Sequence, residues 1–366
     1  MNLRLLDENF DSVSSVITDY NTFIWTERWC GIGTFIVTMP SRHFPQAESA
    51  AYIYSKSMDN CGIITEISRN AEGVTVTGVL LESVLSDKII DTEMLLNDTL
   101  ENALYSVVTT YALTGDRTIP LLELATQSGF DEVYEGIAEE GKNVQEWLYK
   151  VLGAFEMSYQ IKFDYDNRKL IFSIKKGLDR TQEQDFNTWA TFSDRFGNVQ
   201  NISYDKKKND YKNYAYVVGE YNKTRVIEEV DGRSDITEPR KETYIKPSIS
   251  SEDNITSVGQ LRTVLRQRGA EALAEYKIIE NITAEANNHA SLKYGENYNL
   301  GDLCNIISNI KINDKPEEYI RMMWKLRITS VEHAFKDDGD TIIPGFGEGM
   351  LSQRKYIARE LRNGRR

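Results

Sequence analysis

Residues 63–77 read Ile-Ile-Thr-Glu-Ile-Ser-Arg-Asn-Ala-Glu-Gly-Val-Thr-Val-Thr. Ile63, Thr65 and Ile67 fall on alternate positions, and so do Val74 and Val76, with Thr75 and Thr77 turned to the opposite side. Between the two runs, Asn70-Ala71-Glu72-Gly73 supplies turn chemistry. Side chains alternate across a strand with period two, so two such runs around a glycine-bearing turn predict a β-hairpin. Upstream, Phe35, Val37 and Met39 repeat the alternation, and residues 1–79 as a whole read as strands.

The period changes downstream. Over 80–155 apolar residues recur at helical spacing. Asp98 with Glu101 has the form of a capping box, followed by Leu100, Ala103, Leu104, Val107, Val108 and Tyr111 on one helix face. Asn143 with Glu146 opens a second helix, whose stripe is Val144, Trp147, Leu148, Val151, Leu152 and Phe155. The acidic stretch 131–140 between them reads as a solvated loop. A hairpin comes next: Tyr159, Ile161, Phe163 and Tyr165, a turn at Asp166-Asn167, then Leu170, Phe172 and Ile174. Helices feeding a small sheet form an α+β unit.

Residues 190–350 return to strands around one helix. Strands are predicted over 214–221, 278–284, 303–307 and 320–332. A helix is predicted over 257–276, with Val258, Leu261, Leu265, Ala272 and Leu273 inward. In the last strand Ile320, Met322, Trp324, Leu326 and Ile328 alternate with Arg321, Lys325 and Arg327, giving one apolar and one basic face. Pro344-Gly345-Phe346-Gly347 is expected to break the chain, and residues 350–366 form a basic, helix-capable tail. That tail is either a solvated helix or a docking element for an acidic surface on a sister copy or partner.

The expected fold is therefore mainly β with an α+β insert: two β-barrel-like domains and a helix–hairpin domain. The boundaries are 1–90 (with strands from 190–250 possibly completing the first barrel), 91–190, 191–347 and the tail 348–366. At 366 residues the chain is long enough for two or three domains.

Composition narrows the function. The net charge is −13, which opposes a protein that grips nucleic acid by neutralising phosphates. Three widely spaced cysteines, Cys30, Cys61 and Cys304, offer neither a disulfide framework nor zinc spacing, and favour a reducing place of synthesis. Cys30 (beside Trp29) and Cys304 read as core residues. No apolar run approaches the roughly 20 residues of a membrane span, and the N-terminus turns acidic too early for a signal peptide.

Chemistry is hard to find. His43, His289 and His333 lie far apart and read as surface or strand-face histidines rather than bases or ligands. Asp164 and Asp166 make a conceivable carboxylate pair, but their place beside a predicted turn explains them more simply. Glu139 and Glu140 belong to the acidic loop. Gly345-Phe346-Gly347-Glu348-Gly349 has a glycine rhythm without the strand–helix setting that cradles phosphate, and reads as a flexible connector. No catalytic, cofactor-binding or metal-binding residue is assigned, and no cofactor is expected.

Five strings, in order, carry a resemblance. They are Ile24-Trp25-Thr26-Glu27-Arg28-Trp29 (with Gly33-Thr34-Phe35 and Met39-Pro40 after it), Gly78-Val79-Leu80-Leu81-Glu82-Ser83-Val84-Leu85, Gly177-Leu178-Asp179-Arg180-Thr181, Tyr211-Lys212-Asn213-Tyr214-Ala215-Tyr216-Val217-Val218-Gly219, and Tyr298-Asn299-Leu300-Gly301-Asp302-Leu303. In their order and spacing they resemble the siphophage tail-hub (tail-associated, baseplate hub) family of Gram-positive phages, over residues 1 to about 347. Trp25 and Trp29 read as core anchors, and Gly301-Asp302 as a turn that launches a strand.

The resemblance implies a non-enzymatic virion protein at the tail tip, made in the host cytoplasm. Three copies, each with two barrel domains, would form a ring that adapts a six-fold tube to a three-fold tip. The ring would leave a channel for DNA and the tape measure protein, without specific DNA binding. Further partners implied are the distal tail protein and a fibre or spike. The alternative functions are binding of cell-wall carbohydrate, by Tyr rings stacking on sugars, and peptidoglycan hydrolysis.

Overall fold

The computed structural model describes residues 2–58, 60–247, 255–286, 292–311, 319–336 and 339–347. It is mainly β. The chain divides into two compact units, each assembled from segments distant in sequence. The first comprises Met1–Leu80, Lys176–Lys207 and the residues from Ile279 on; the second comprises Leu81–Lys175 and Lys208–Ile278.

In the first unit, one continuous path of strands runs Arg4–Leu6, Tyr52–Ser55, Asn60–Arg69, Val74–Leu80, Thr34–Met39, Thr22–Arg28, Tyr319–Lys336, Gly339–Gly347, Ile279–Ala286, Val199–Lys207. Leu303–Lys311 pairs with Tyr319–Lys336, and Thr191–Ser193 pairs with Leu303–Lys311. The long strand Tyr319–Lys336 serves two groups of strands. Its first half pairs with Leu303–Lys311, and Ser330–Lys336 pairs with Thr22–Arg28. The unit accordingly holds two apolar cores. One gathers Leu3, Phe23, Trp25, Phe35, Val37, Val74 and Val76. The other gathers Phe192, Ile282, Tyr298, Cys304, Ile306, Ile328 and Phe346. Each such residue fully removed from water contributes about 1.5–3 kcal/mol, which is what holds the period-two segments as strands.

The hairpin of residues 63–77 forms, with one change of phase. The register slips between Ile64 and Glu66, so Ile64 and Ile67, rather than Ile63 and Ile67, pack on the first core. Opposite them, Val74 and Val76 are buried as the alternation requires. Asn70 closes the turn by accepting the amides of Glu72 and Gly73. A bulge of one extra residue reverses the facing of everything beyond it. The expected chain break at 344–347 is also corrected. Gly339–Gly347 is a strand, and Phe346 and Ile342 pack on the second core. Their burial outweighs the one ladder bond that Pro344 cannot donate.

In the second unit, helix Leu100–Ala112 buries the six residues of its predicted face. Its N-cap is Thr99, whose hydroxyl accepts from the amide of Asn102; Asp98 instead accepts from the Thr99 amide and the Asn102 side chain. Helix Val144–Ala154 is capped by Asn143, which accepts from the Glu146 amide. The hairpin Met157–Asp164/Lys169–Lys176 adds Leu122–Leu124 in parallel to its second strand. Tyr214–Tyr221 and Thr224–Asp231 form another hairpin, closed by Asn222 and Lys223, both at positive φ. That backbone is the primed two-residue turn whose twist matches antiparallel strands.

Residues 131–140 are not a loop throughout. Val133–Ala138 is a strand paired with Met94–Thr99, and Tyr134, Gly136, Ile137 and Ala138 are buried. The acidic residues hid a strand whose apolar side faces in. Helix Val258–Glu275 packs on Tyr214–Tyr221, Thr224–Asp231 and Val144–Ala154, so it belongs with the second unit rather than with the strands after residue 279. The units thus interleave in sequence. The tail 348–366 lies outside the described residues. Among those residues, no helix is long and apolar enough to cross a membrane.

Candidate functional site

Three of the five strings meet in the first unit, around Gly301 and Asp302. The turn 299–302 delivers the chain into strand Leu303–Lys311, and Gly301 has φ +93°, a backbone that favours glycine. A Cβ there would lie 2.1 Å from a ring carbon of Trp29, so the indole closes over bare backbone. Gly177 makes an equally close approach: a Cβ on it would lie 1.7 Å from the carbonyl oxygen of Gly301. That same oxygen accepts from Arg327 Nη1 at 2.6 Å.

Asp302 is the polar centre. It is 2% exposed, and its carboxylate accepts from the Leu178 amide at 2.9 Å, the Asn299 amide at 2.9 Å and Arg180 Nε at 2.6 Å. Arg180 is 8% exposed, and its Nη1 also donates to the carbonyl of Thr188. A buried ion pair is retained only where its remaining hydrogen-bonding capacity is met, and here the pair sits among backbone groups that need it.

The junction fixes the loop that follows. Arg180 N donates to Leu303 O and Leu303 N donates to Leu178 O, both at 2.8 Å. Ala190 N donates to Arg180 O, and Gln182 N donates to Asn305 Oδ1. Inside the loop, Gln184 Oε1 accepts from the amides of Phe186 and Asn187, while its Nε2 donates to the carbonyls of Thr181 and Asn187. Trp189 Nε1 donates to Gln184 O, and Asn187 Nδ2 donates to Asp179 O. Each of these bonds involves a backbone group, and together they hold the loop backbone in one shape.

The sequence-level candidates are scattered. His43 pairs with Asp19, Nε2 to Oδ1 at 3.0 Å, and the histidine's hydrogen bond holds the Asp19 carboxyl below its ordinary value. His333 is buried in strand Tyr319–Lys336 against the ring of Tyr294, and desolvation lowers its pKa. Tyr294 donates to Glu27 at 2.5 Å, and burial and that carboxylate raise its pKa well above 10. His289 lies outside the described residues. Asp164 accepts from both the amide and side chain of Asn167, and Asp166 is exposed, so the pair serves the hairpin turn. Cys61 and Cys304 are buried as core residues, and burial pushes both thiols up. Cys30, read as core from its neighbour Trp29, is exposed: the chain leaves strand Thr22–Arg28 there, and only the indole turns in. Gly345 and Gly347 belong to a strand and form no phosphate loop. Among the described residues, no group of His, Cys, Asp and Glu is arranged to hold a metal ion.

A second buried polar cluster, in the other unit, was not foreseen. Arg268 and Glu271 project inward from helix Val258–Glu275 where Val258 and Ala272 were expected; Val258 is exposed and Ala272 half-buried. Glu271 accepts from Arg268 Nη1 at 3.0 Å and Tyr134 OH at 3.1 Å, with Lys150 Nζ 3.7 Å away. Arg268 Nη2 donates to Ile137 O at 2.6 Å and lies 3.4 Å from Glu139. Glu101 is likewise buried and accepts from the amides of Ser128, Gly129 and Phe130 instead of completing a capping box.

The fold, taken over its whole length, is one that phage tail proteins have. A tail protein from Neisseria meningitidis MC58 matches at TM-score 0.52 and 10% identity, covering 95% of this chain and 96% of that one. The prophage tail protein gp18 from Listeria monocytogenes EGD-e matches at TM-score 0.52 and 12% identity, covering 99% of each. The 43 kDa tail protein of prophage MuSo2 from Shewanella oneidensis matches at TM-score 0.51 and 13% identity, covering 94% and 98%. The chain itself belongs to the Siphovirus ReqiPepy6 Gp37-like protein family, which matches over residues 2–348. No curated protein matches it.

Proposed function

We propose that this protein is a non-enzymatic structural hub at the tip of a siphophage tail. The observation that carries the proposal is the family match over residues 2–348 on a fold that tail proteins share end to end. Three copies form a ring that extends the tail tube and adapts it from six-fold to three-fold symmetry. The first unit's two apolar cores support this, because two β domains per chain supply six per trimer. The channel passes DNA and the tape measure protein, and a net charge of −13 suits a wall that must not hold phosphate. The distal tail protein and a fibre or spike are the neighbours.

The test is the mass of the purified chain by light scattering, with negative-stain images. A particle of three times 41.9 kDa with a central hole is expected. A monomer that is also missing from tail particles would overturn the proposal. Release of soluble fragments from purified Gram-positive walls, lost on Asp164→Asn or Asp166→Asn, would replace it with an enzyme.

A further inference from the structure

Two strand edges in the second unit line one groove without pairing to each other. Among the described residues, Val133–Ala138 pairs on one side only, with Met94–Thr99, and Thr224–Asp231 on one side only, with Tyr214–Tyr221. The groove, of about 510 Å³, takes Val133 and Glu135 from the first edge and Glu229 and Asp231 from the second. Helix Val258–Glu275 adds Thr263, Gln267 and Ala270, a stripe at helical spacing. The ladders show where each edge points its backbone. Leu100 N donates to Glu132 O, so the bonded residues of that ladder are Glu132, Tyr134, Gly136 and Ala138, and the N–H and C=O groups of Val133 and Glu135 point away from Met94–Thr99. Gly232 N donates to Asn213 O, so those of Glu229 and Asp231 point away from Tyr214–Tyr221. These four residues line the groove, and their main-chain groups have no partner among the described residues. Two free edges along a helix are a setting in which an extended segment adds as a strand.

Charge selects the segment. Asp231 is paired with Arg233, and Arg266, which also lines the groove, with Glu228. That leaves Glu135 and Glu229 as the lining carboxylates outside any ion pair among the described residues; Glu229 accepts only from the hydroxyl of Tyr214. Residues 350–366 hold six Lys and Arg against Glu360 alone, in a chain whose net charge is −13. In an extended backbone Lys355, Ile357 and Arg359 fall on one side and Tyr356 and Ala358 on the other. Slot and basic strand are different surfaces of one chain. Contact between different surfaces of identical copies closes a three-fold ring, whereas a self-complementary patch gives a two-fold dimer.

We propose that residues 354–359 of one copy insert as a strand into this slot on a neighbouring copy, bonding to both free edges, with Lys355 and Arg359 answering Glu135 and Glu229. The inference rests on the ring of copies proposed above and names a contact that joins it.

The experiment co-expresses two full-length variants. The donor carries photoreactive p-benzoyl-phenylalanine in place of Tyr356, together with Glu135→Lys and Glu229→Lys, which make its own slot basic. The acceptor carries Lys355→Glu and Arg359→Glu and keeps the slot. Irradiation should join donor to acceptor, with the probe on an acceptor peptide from 133–138 or 224–231 by mass spectrometry. Adding Glu135→Lys and Glu229→Lys to the acceptor should lower the yield about tenfold or more. Thermal melting checks that each variant is folded; should the Lys pair melt early, Glu135→Gln and Glu229→Gln replace it. No donor–acceptor product, a product elsewhere on the acceptor, or a yield unchanged by the reversal would each overturn the proposal. In a chain altered at 356 alone, cross-links confined to single chains would do the same. A wild-type trimer without the donor–acceptor product sinks the slot alone; a wild-type chain that is monomeric and missing from tail particles sinks the ring and the slot with it.

Discussion

Asp302→Ala should be among the most damaging single substitutions in the protein. Asp302 is 2% exposed, and its carboxylate accepts from two backbone amides, Leu178 and Asn299, and from the buried Arg180 Nε. Removing one partner of a buried ion pair costs about 3–5 kcal/mol, because the other charge is left uncompensated. Each orphaned amide adds roughly 1–3 kcal/mol if nothing replaces its acceptor. The loop after Leu178 can relax and admit water, which trims that sum, and we expect a loss of about 4–6 kcal/mol. The assay is chemical denaturation followed by Trp fluorescence, since Trp29 lies directly against Gly301 and reports on the junction. The double variant Arg180→Met/Asp302→Leu removes both charges and should cost about half as much, since only the amides remain unsatisfied. A single-variant loss below about 1 kcal/mol, or a double-variant cost equal to the sum of the two single ones, would refute the reasoning.

Four further outcomes follow from the same structure. Arg268→Met should destabilise the second unit by about 3–5 kcal/mol, and adding Glu271→Leu should recover more than half of it, as measured by denaturation of the two variants. Gly301→Ala combines a positive φ with a Cβ 2.1 Å from the Trp29 ring; a loss of about 2–5 kcal/mol is expected by thermal melting, and an unchanged melt would count against the tight stacking. Burial holds His333 below its ordinary 6.5, so the unfolded chain binds more protons in the window below pH 6.5. Stability is therefore present above that value and falls with pH through the folded-state pKa, and His333→Phe should flatten this part of the pH–stability curve. A thiol reagent should label Cys30 alone in the native protein and all three cysteines, with Cys61 and Cys304, in denaturant; fast native labelling of two would contradict the burial of the others.

Much of the local structure was legible in the residues. The stripes of helices Leu100–Ala112 and Val144–Ala154, and strand Tyr214–Tyr221, lie where periodicity puts them, because each element buries one side. Failures arose where a single residue changes the rule. The bulge near Thr65 adds one position and swaps Ile63 for Ile64 on the core, a shift that no alternation count anticipates. In 133–138 the carboxylates drew attention from Tyr134, Ile137 and Ala138. Arg268 and Glu271 are absent from the inward positions expected of their helix, since nothing local distinguishes a buried pair from an exposed one. The junction was half visible. Gly301-Asp302 reads as a turn from its residues, and Gly177 to Thr181 is a recognisable string of its own. Their meeting spans more than a hundred residues, and sequence spacing carries no such distance.

The two buried clusters have a common logic. Each unit is woven from segments that lie far apart in the chain. Apolar burial would bring these segments together, but it is non-directional, and a strand or helix slipped by one position buries a similar area. Asp302 removes that freedom in the first unit by accepting amides from 178 and 299 at once. Arg268 and Glu271 do the same in the second by reaching Ile137 and Tyr134 across more than 130 residues. A buried pair contributes little net stability over an apolar substitute, so its value lies in the geometry it rejects. On this argument Arg180→Met/Asp302→Leu, although it loses only about half the stability that Asp302→Ala loses, should let the loop 178–189 sample other shapes. Limited proteolysis should then cut after the loop's basic or aromatic residues faster than in wild type, and faster than in a variant of equal stability altered away from the junction. Equal protease resistance in the two proteins would mean that packing alone sets the loop.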